Sequence, residues 1–148
     1  MKTKLMPTTY FVVLLLLSLA AGFVFPEGKV IYSPYTYSGI IMIIFGIIMN
    51  LWTDALFKKS KTTVKPHETP TSLETSGPFR ISRHPMYLGM TAILLGASVF
   101  TGSLITFIFP VIFIVLMEKI FIPLEEKNLE DAFGGKYIGY KKKVRRWI

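Results

Sequence analysis

Four long apolar runs constrain the fold of this chain more than any other feature. They extend over about residues 10–25, 37–57, 85–101 and 103–122. Each approaches the ~20 residues that cross a bilayer as a helix. In hydrocarbon every backbone N–H and C=O needs a partner inside the protein, so such runs become helices. An apolar fraction of 51% and a mean hydropathy of +0.49 agree with a membrane protein rather than a soluble core. The expected fold is all-α: a polytopic membrane protein of about four transmembrane helices plus a C-terminal amphipathic helix at the interface. Its 148 residues suit a single domain.

The connections refine this. The first run has a basic start and the small residues Ala20, Ala21 and Gly22, so it could be a signal peptide. A retained helix is simpler, because the other runs already make the protein integral. Trp52 suits an interfacial belt, and Asp54 has Lys58 as its i+4 neighbour. A polar loop, 58–84, separates the second and third runs. Gly89, Ala92, Gly96 and Ala97 allow close helix approach in the third. In the fourth, Pro110 is expected to kink the helix and Pro123 to close it. Over 124–148, Leu129, Phe133, Tyr137, Tyr140, Val144 and Trp147 recur every three or four residues, with a break at Gly134-Gly135. Lys136, Lys141, Lys142, Lys143, Arg145 and Arg146 form the other side. That pattern reads as a helix lying on the membrane, held by apolar insertion and anionic lipid.

Charge sets the topology. The net charge is +8, yet of 17 Lys and Arg only Lys29 falls in the first connection and none in the turn at Gly102. The remainder, including Lys2 and Lys4, share one side if the chain crosses four times. The positive-inside rule makes that side cytoplasmic. Lysine-rich inner loops fit a prokaryotic inner membrane. No basic, aromatic-interleaved soluble module points to nucleic acid. The absence of cysteine excludes disulfides, thiolate metal sites and cysteine nucleophiles, and with only His67 and His84 no histidine-rich metal cluster is expected.

Where the polar loop meets the third run stands Gly77-Pro78-Phe79-Arg80-Ile81-Ser82-Arg83-His84-Pro85-Met86-Tyr87-Leu88-Gly89. Gly77-Pro78 reads as a turn and Pro85 as the first helical residue. Arg83 and His84 therefore precede a helix N-terminus, which favours anionic groups. As plain membrane elements, the arginines would reach lipid phosphates and His84 would cap the helix. Glu125 and Glu126 would likewise be a solvated helix start. The topology puts that acidic pair on the same face as the Arg-His-Pro stretch.

Three blocks together resemble the isoprenylcysteine carboxyl methyltransferase and phospholipid methyltransferase group of membrane enzymes. They are Pro70 to Phe79, Arg83-His84-Pro85-Met86-Tyr87-Leu88-Gly89, and Glu125-Glu126 followed by Leu129, Phe133-Gly134, Tyr137, Tyr140 and Val144. The resemblance covers about half the chain. It implies transfer of a methyl group from S-adenosylmethionine to a lipophilic small molecule or prenylated cysteine. It further implies that Ser72, Leu73, Phe79, His84, Pro85, Met86, Tyr87 and Gly89 line the donor pocket, with Glu125 and Glu126 at its polar end. Arg83 and Glu125 are the expected catalytic pair. Such a donor needs a carboxylate for its ammonium or ribose, a cationic spot for its own carboxylate, and apolar walls for adenine. No glycine-rich loop between a strand and a helix is present, which excludes a Rossmann-type methyltransferase.

The sequence departs from the group in three places. Phe79 stands where tyrosine is frequent, and Arg145 follows Val144 where proline is usual. The arginine that contacts the acceptor carboxylate in prenylcysteine enzymes is missing, with Lys119 and Phe121 in that region. Two other readings remain: a membrane reductase resembling the intramembrane sterol reductases, which use a nicotinamide cofactor, and a non-catalytic lipid-binding scaffold.

Overall fold

The computed structural model describes residues 6–63 and 65–148; Lys2 and Lys4 lie outside them. Helix α1 covers Pro7–Val24, with proline in its first turn, and α2 covers Ser38–Lys59. Helix α3 is Pro85–Thr101. Helix α4, Ile108–Leu116, passes through a π segment, Met117–Phe121, into α5, Ile122–Phe133, and α6 is Gly135–Lys143. No sheet forms among the described residues; one antiparallel bridge joins Lys29 to Ser103.

Three helical stretches are long and apolar enough to cross a membrane: Pro7–Val24, Tyr35–Lys59 and Leu104–Phe133. Helix α3 has 17 residues and is the shorter apolar helix of the set. At ~1.5 Å per residue it reaches about 25 Å, against ~30 Å of hydrocarbon. It is also the most enclosed, with α2 on one side and α1 and α4 on the other. Outward-facing Leu16, Phe23, Ile41, Ile48, Val111 and Val115 leave α1, α2 and α4 apolar on their outer faces. Outer faces of this kind suit contact with lipid.

Two kinds of packing hold α3. Against α1 and α4 it buries Tyr87, Met90 and Leu94 beside Leu14, Phe113, Met117, Phe121 and Ile122. Edge-on ring pairs, Tyr10 with Phe121 and Phe11 with Phe113, seal that side. Against α2 the backbones meet through glycines seven apart on each helix. A Cβ on Gly39 would stand 2.3 Å from the Gly96 carbonyl oxygen, and one on Gly46 would stand 2.4 Å from that of Gly89. Only glycine permits this approach. At the far end Gly102, at φ +71°, closes α3 in the left-handed conformation. Its carbonyl accepts from the N–H groups of Val30 and Ile31 at 2.8 and 3.2 Å, tying the first connection to the third.

The last third of the chain differs from the sequence reading. Pro123 does not close the fourth span, because the helix runs on to Phe133. The π segment explains this. There the Ile122 N–H reaches back to the Met117 carbonyl, a wider turn than α, so the chain enters Pro123 without a conventional ladder at that point. Pro110 is the third residue of α4, just beyond the 3-10 turn Leu104–Phe107, and the Thr106 carbonyl that its missing N–H would have met accepts from Ser98 Oγ at 2.9 Å. The tail is not one interfacial helix. It breaks at Gly134, turns through α6, and becomes extended at Val144. Tyr137 is 1% exposed and Trp147 packs on the α1–α3–α4 core, so two of the expected lipid-facing positions face protein.

The glycine contact gives a direct expectation. Gly46→Ala forces the α2 and α3 backbones apart and costs about 1–3 kcal/mol, read as a lower melting temperature in detergent. Gly139→Ala meets nothing within 4 Å in the middle of α6, so the same measurement should show no loss, or a gain of up to ~1 kcal/mol. Equal melting temperatures for wild type and Gly46→Ala would contradict this packing.

Candidate active site

The site lies at one end of the bundle, where α1 and α3 begin and α2 ends. The sequence creates a gap here because Gly77, at φ +56°, and Pro78 turn the loop into a short 3-10 turn, Gly77–Arg80. Pro85 then starts α3, leaving Ser82-Arg83-His84 as a non-helical approach. From the opposite wall α5 presents its acids. Between them is an empty volume of about 1060 Å³, partly continuous with solvent.

Nine of the residues singled out from the sequence line this cavity: Ser72, Leu73, Phe79, Arg83, His84, Pro85, Met86, Tyr87 and Glu125. Two do not. Gly89 faces α2, where a Cβ would stand 2.8 Å from the Gly46 carbonyl oxygen. Glu126, 4% exposed, sits behind the lining. The structure adds Met6, Pro7 and Thr8 at the start of α1, Thr53 and Phe57 on α2, and Met90 on α3. Asn128 reaches across from α5 to donate to the Pro66 carbonyl at 2.7 Å, and Tyr140 donates to that of Phe79 at 2.6 Å. Those contacts fix the loop and α6 to the rim. Asp54 pairs with Lys58 at 2.6 Å and does not line the cavity.

The charged groups form one connected cluster. His84 Nδ1 lies 3.1 Å from Glu125, and the Tyr87 hydroxyl donates to the other oxygen of the same carboxylate. The His84 and Tyr87 rings stack with centroids 5.7 Å apart. Glu126 accepts an ion pair from Arg83 Nη2 at 3.0 Å and lies 3.6 Å from His84 Nε2, too long for a hydrogen bond. Burial of the imidazole opposes its charge. Glu125 at hydrogen-bond distance, with Glu126 behind, outweighs that and raises the pKa of His84 above its ordinary value. Among the described residues, Arg83 Nε and Nη1 are buried without a partner. Two such donors on a charged group are costly unless an acceptor arrives.

Neither of the residues noted in the region upstream of the acids enters the cavity. Phe121 is buried against Tyr10, and Lys119 does not line the cavity. The sequence left open whether Glu118 reaches the site, and it gave Arg146 and Trp147 only a place in the lipid-binding tail. Arg146 Nη1 and Trp147 Nε1 donate to the two oxygens of Glu118 at 2.7 and 2.8 Å. Nothing in a run of lysines and arginines distinguishes Arg146 from its neighbours, whereas the interruption of the apolar pattern at Glu118 was a usable signal.

Because the folded His84 ring keeps its proton above the ordinary 6.5, its pairing stabilises the fold fully below pH 6.5. That contribution fades as pH rises through the higher folded-state value. Melting temperature measured against pH should fall across this window in wild type, and His84→Gln should remove the step. A wild-type profile no steeper than that of His84→Gln would rule the ion pair out.

Comparison with known proteins places these features in a family. The phospholipid methyltransferase family matches over residues 35–136. A probable protein-S-isoprenylcysteine O-methyltransferase of Oryza sativa subsp. indica is 31% identical over 131 residues, covering 85% of this chain and 66% of that protein. The protein-S-isoprenylcysteine O-methyltransferase of Saccharomyces cerevisiae is 30% identical over 136 residues, covering 85% and 56%. Methanethiol S-methyltransferase 1 of Bradyrhizobium diazoefficiens is 29% identical over 125 residues, covering 83% and 43%. The chain therefore spans less than two thirds of the length of each of these relatives. With the family match extending over most of its length, the chain belongs to the phospholipid methyltransferase family.

Proposed function

We propose that this protein is an integral membrane methyltransferase that uses S-adenosylmethionine to methylate a lipophilic acceptor. The observation that carries the reading is Arg83: it lines the cavity, and its buried Nε and Nη1 lack partners among the described residues. They suit the carboxylate of an amino-acid-bearing donor. Glu125 stands across the same cavity as the carboxylate for the donor's ammonium or ribose. Ser72 and Leu73 line it beside the Phe79 ring, a wall of the kind adenine needs. Bound here, S-adenosylmethionine supplies an electrophilic methyl group. The protein's part is to orient the reactants and exclude water. His84 and Tyr87 hold the Glu125 carboxylate in one orientation. A carboxylate acceptor is already ionised near neutral pH, while an amine or thiol would need a base, for which Glu125 is the nearby group.

The same reading assigns the acceptor to a lipid-soluble compound, because Met86, Met90 and Phe57 make the bundle side of the cavity apolar. Prenylated cysteine, lipophilic thiols and amine phospholipids are the acceptors to try. The chain acts as one membrane domain with four crossings, α3 being the short one. The polar loop and α6 lie on the cytoplasmic side of what we take to be a prokaryotic inner membrane, supported by the distribution of Lys and Arg.

Calorimetric titration of S-adenosylmethionine into the detergent-purified protein should show saturable binding. Arg83→Ala and Glu125→Ala should each weaken it roughly 10- to 100-fold, since a hydrogen bond to a charged group contributes about 1.5–3 kcal/mol. Full donor affinity in both variants would refute the site. No binding by folded wild type would refute the function.

A further inference from the structure

The segment after α6 runs back beneath the Arg-His-Pro approach. The carbonyl of Arg145 accepts from the Arg83 N–H at 3.0 Å, and that of Arg146 accepts from Ser82 Oγ at 2.8 Å. Ser82 Oγ in turn accepts from the His84 N–H at 3.1 Å. The Arg146 side chain lies alongside. Its Nε and Nη2 donate to the two oxygens of Glu126 at 3.1 and 2.9 Å, while Nη1 is held by Glu118 at 2.7 Å.

This arrangement bears on how Arg83 is used. A buried carboxylate facing a single arginine tends to close a bidentate fork with it, consuming two of its nitrogens. Glu126 faces two, and Arg146 engages both of its oxygens. Arg83 is left with one contact, through Nη2, and keeps Nε and Nη1 unpaired. Lys141 does not replace Arg146, being 3.6 Å from Glu126 and 2.7 Å from Glu130.

We propose that Arg146 is a positioning residue for the anion-binding site: by occupying Glu126 it prevents Arg83 from closing a fork with that carboxylate and leaves two Arg83 donors for an anionic group in the cavity. The inference rests on the donor site proposed above. Simple packing of the tail would give the same contacts but a different response to charge. With Arg146 removed, Glu126 captures Arg83; with both Arg146 and Glu126 neutralised, nothing competes for Arg83.

The test is calorimetric titration of S-adenosylmethionine into wild type, Arg146→Gln, Arg146→Lys and the double variant Arg146→Gln/Glu126→Gln, with a melting temperature for each. Arg146→Gln should weaken binding about tenfold or more, the cost of one charge-assisted hydrogen bond. Arg146→Lys should lie between it and wild type, since one ammonium cannot span both Glu126 oxygens. The double variant should bind more tightly than Arg146→Gln alone. Wild-type affinity in folded Arg146→Gln, or a double variant no better than the single one, would overturn the proposal. If Arg146→Gln does not fold, Arg146→Lys against Arg146→Lys/Glu126→Gln makes the same comparison. No binding by wild type would overturn the donor reading, and this inference with it.

Discussion

A buried carboxylate organises this molecule. Glu126 is almost wholly enclosed, and leaving such a group unpaired would cost several kcal/mol. Its partners come from distant parts of the chain, Arg83 from just before α3 and Arg146 from beyond α6. The fold is therefore complete only when the loop, α5 and the C-terminal segment have met. That requirement joins stability to site assembly, since Glu126 is adjacent to the cavity-lining Glu125 and bonded to the cavity-lining Arg83. What looks in sequence like an isolated basic tail is one wall of a charge cluster.

The bundle supplies the rigid frame for that cluster. Helix α3 carries His84 at its start and is clasped on one side by glycine backbone contacts with α2, and on the other by a core rich in aromatic side chains. Its far end is anchored through the Gly102 carbonyl. A helix fixed at both ends and along two faces gives Arg83, His84 and Tyr87 little freedom, which suits groups that must hold a reactant in one orientation.

Much of this was legible in the residues. Apolar runs gave the first three helices within a few positions, and Pro85, Gly102 and Gly134 marked real boundaries. The distribution of lysine and arginine put Glu125 on the same face as His84, and the two lie 3.1 Å apart. Other features were not legible, for physical reasons. Tyr137 and Trp147 satisfy an amphipathic pattern equally well against lipid or protein, because periodicity reports a face and not its neighbour. Gly89 reads as site-lining through the motif it ends, yet its missing side chain serves the contact with Gly46. Pro123 looks like a stop unless the preceding turn is known to be π.

That π segment sets a phase relation between membrane and chemistry. A π turn holds one more residue than an α turn, and each residue advances a helix by ~100°. Up to Met117 the helix buries Phe113 and Met117 in the bundle; beyond Phe121 the same rod turns Glu125 and Glu126 toward Arg83 and His84. The wider turn thus keeps one side of a single helix toward α3, with apolar residues within the span and acids at the cavity. In such a helix the position of the acids is an angular quantity. Losing one residue between Met117 and Phe121 would swing both carboxylates around the axis rather than shorten the span.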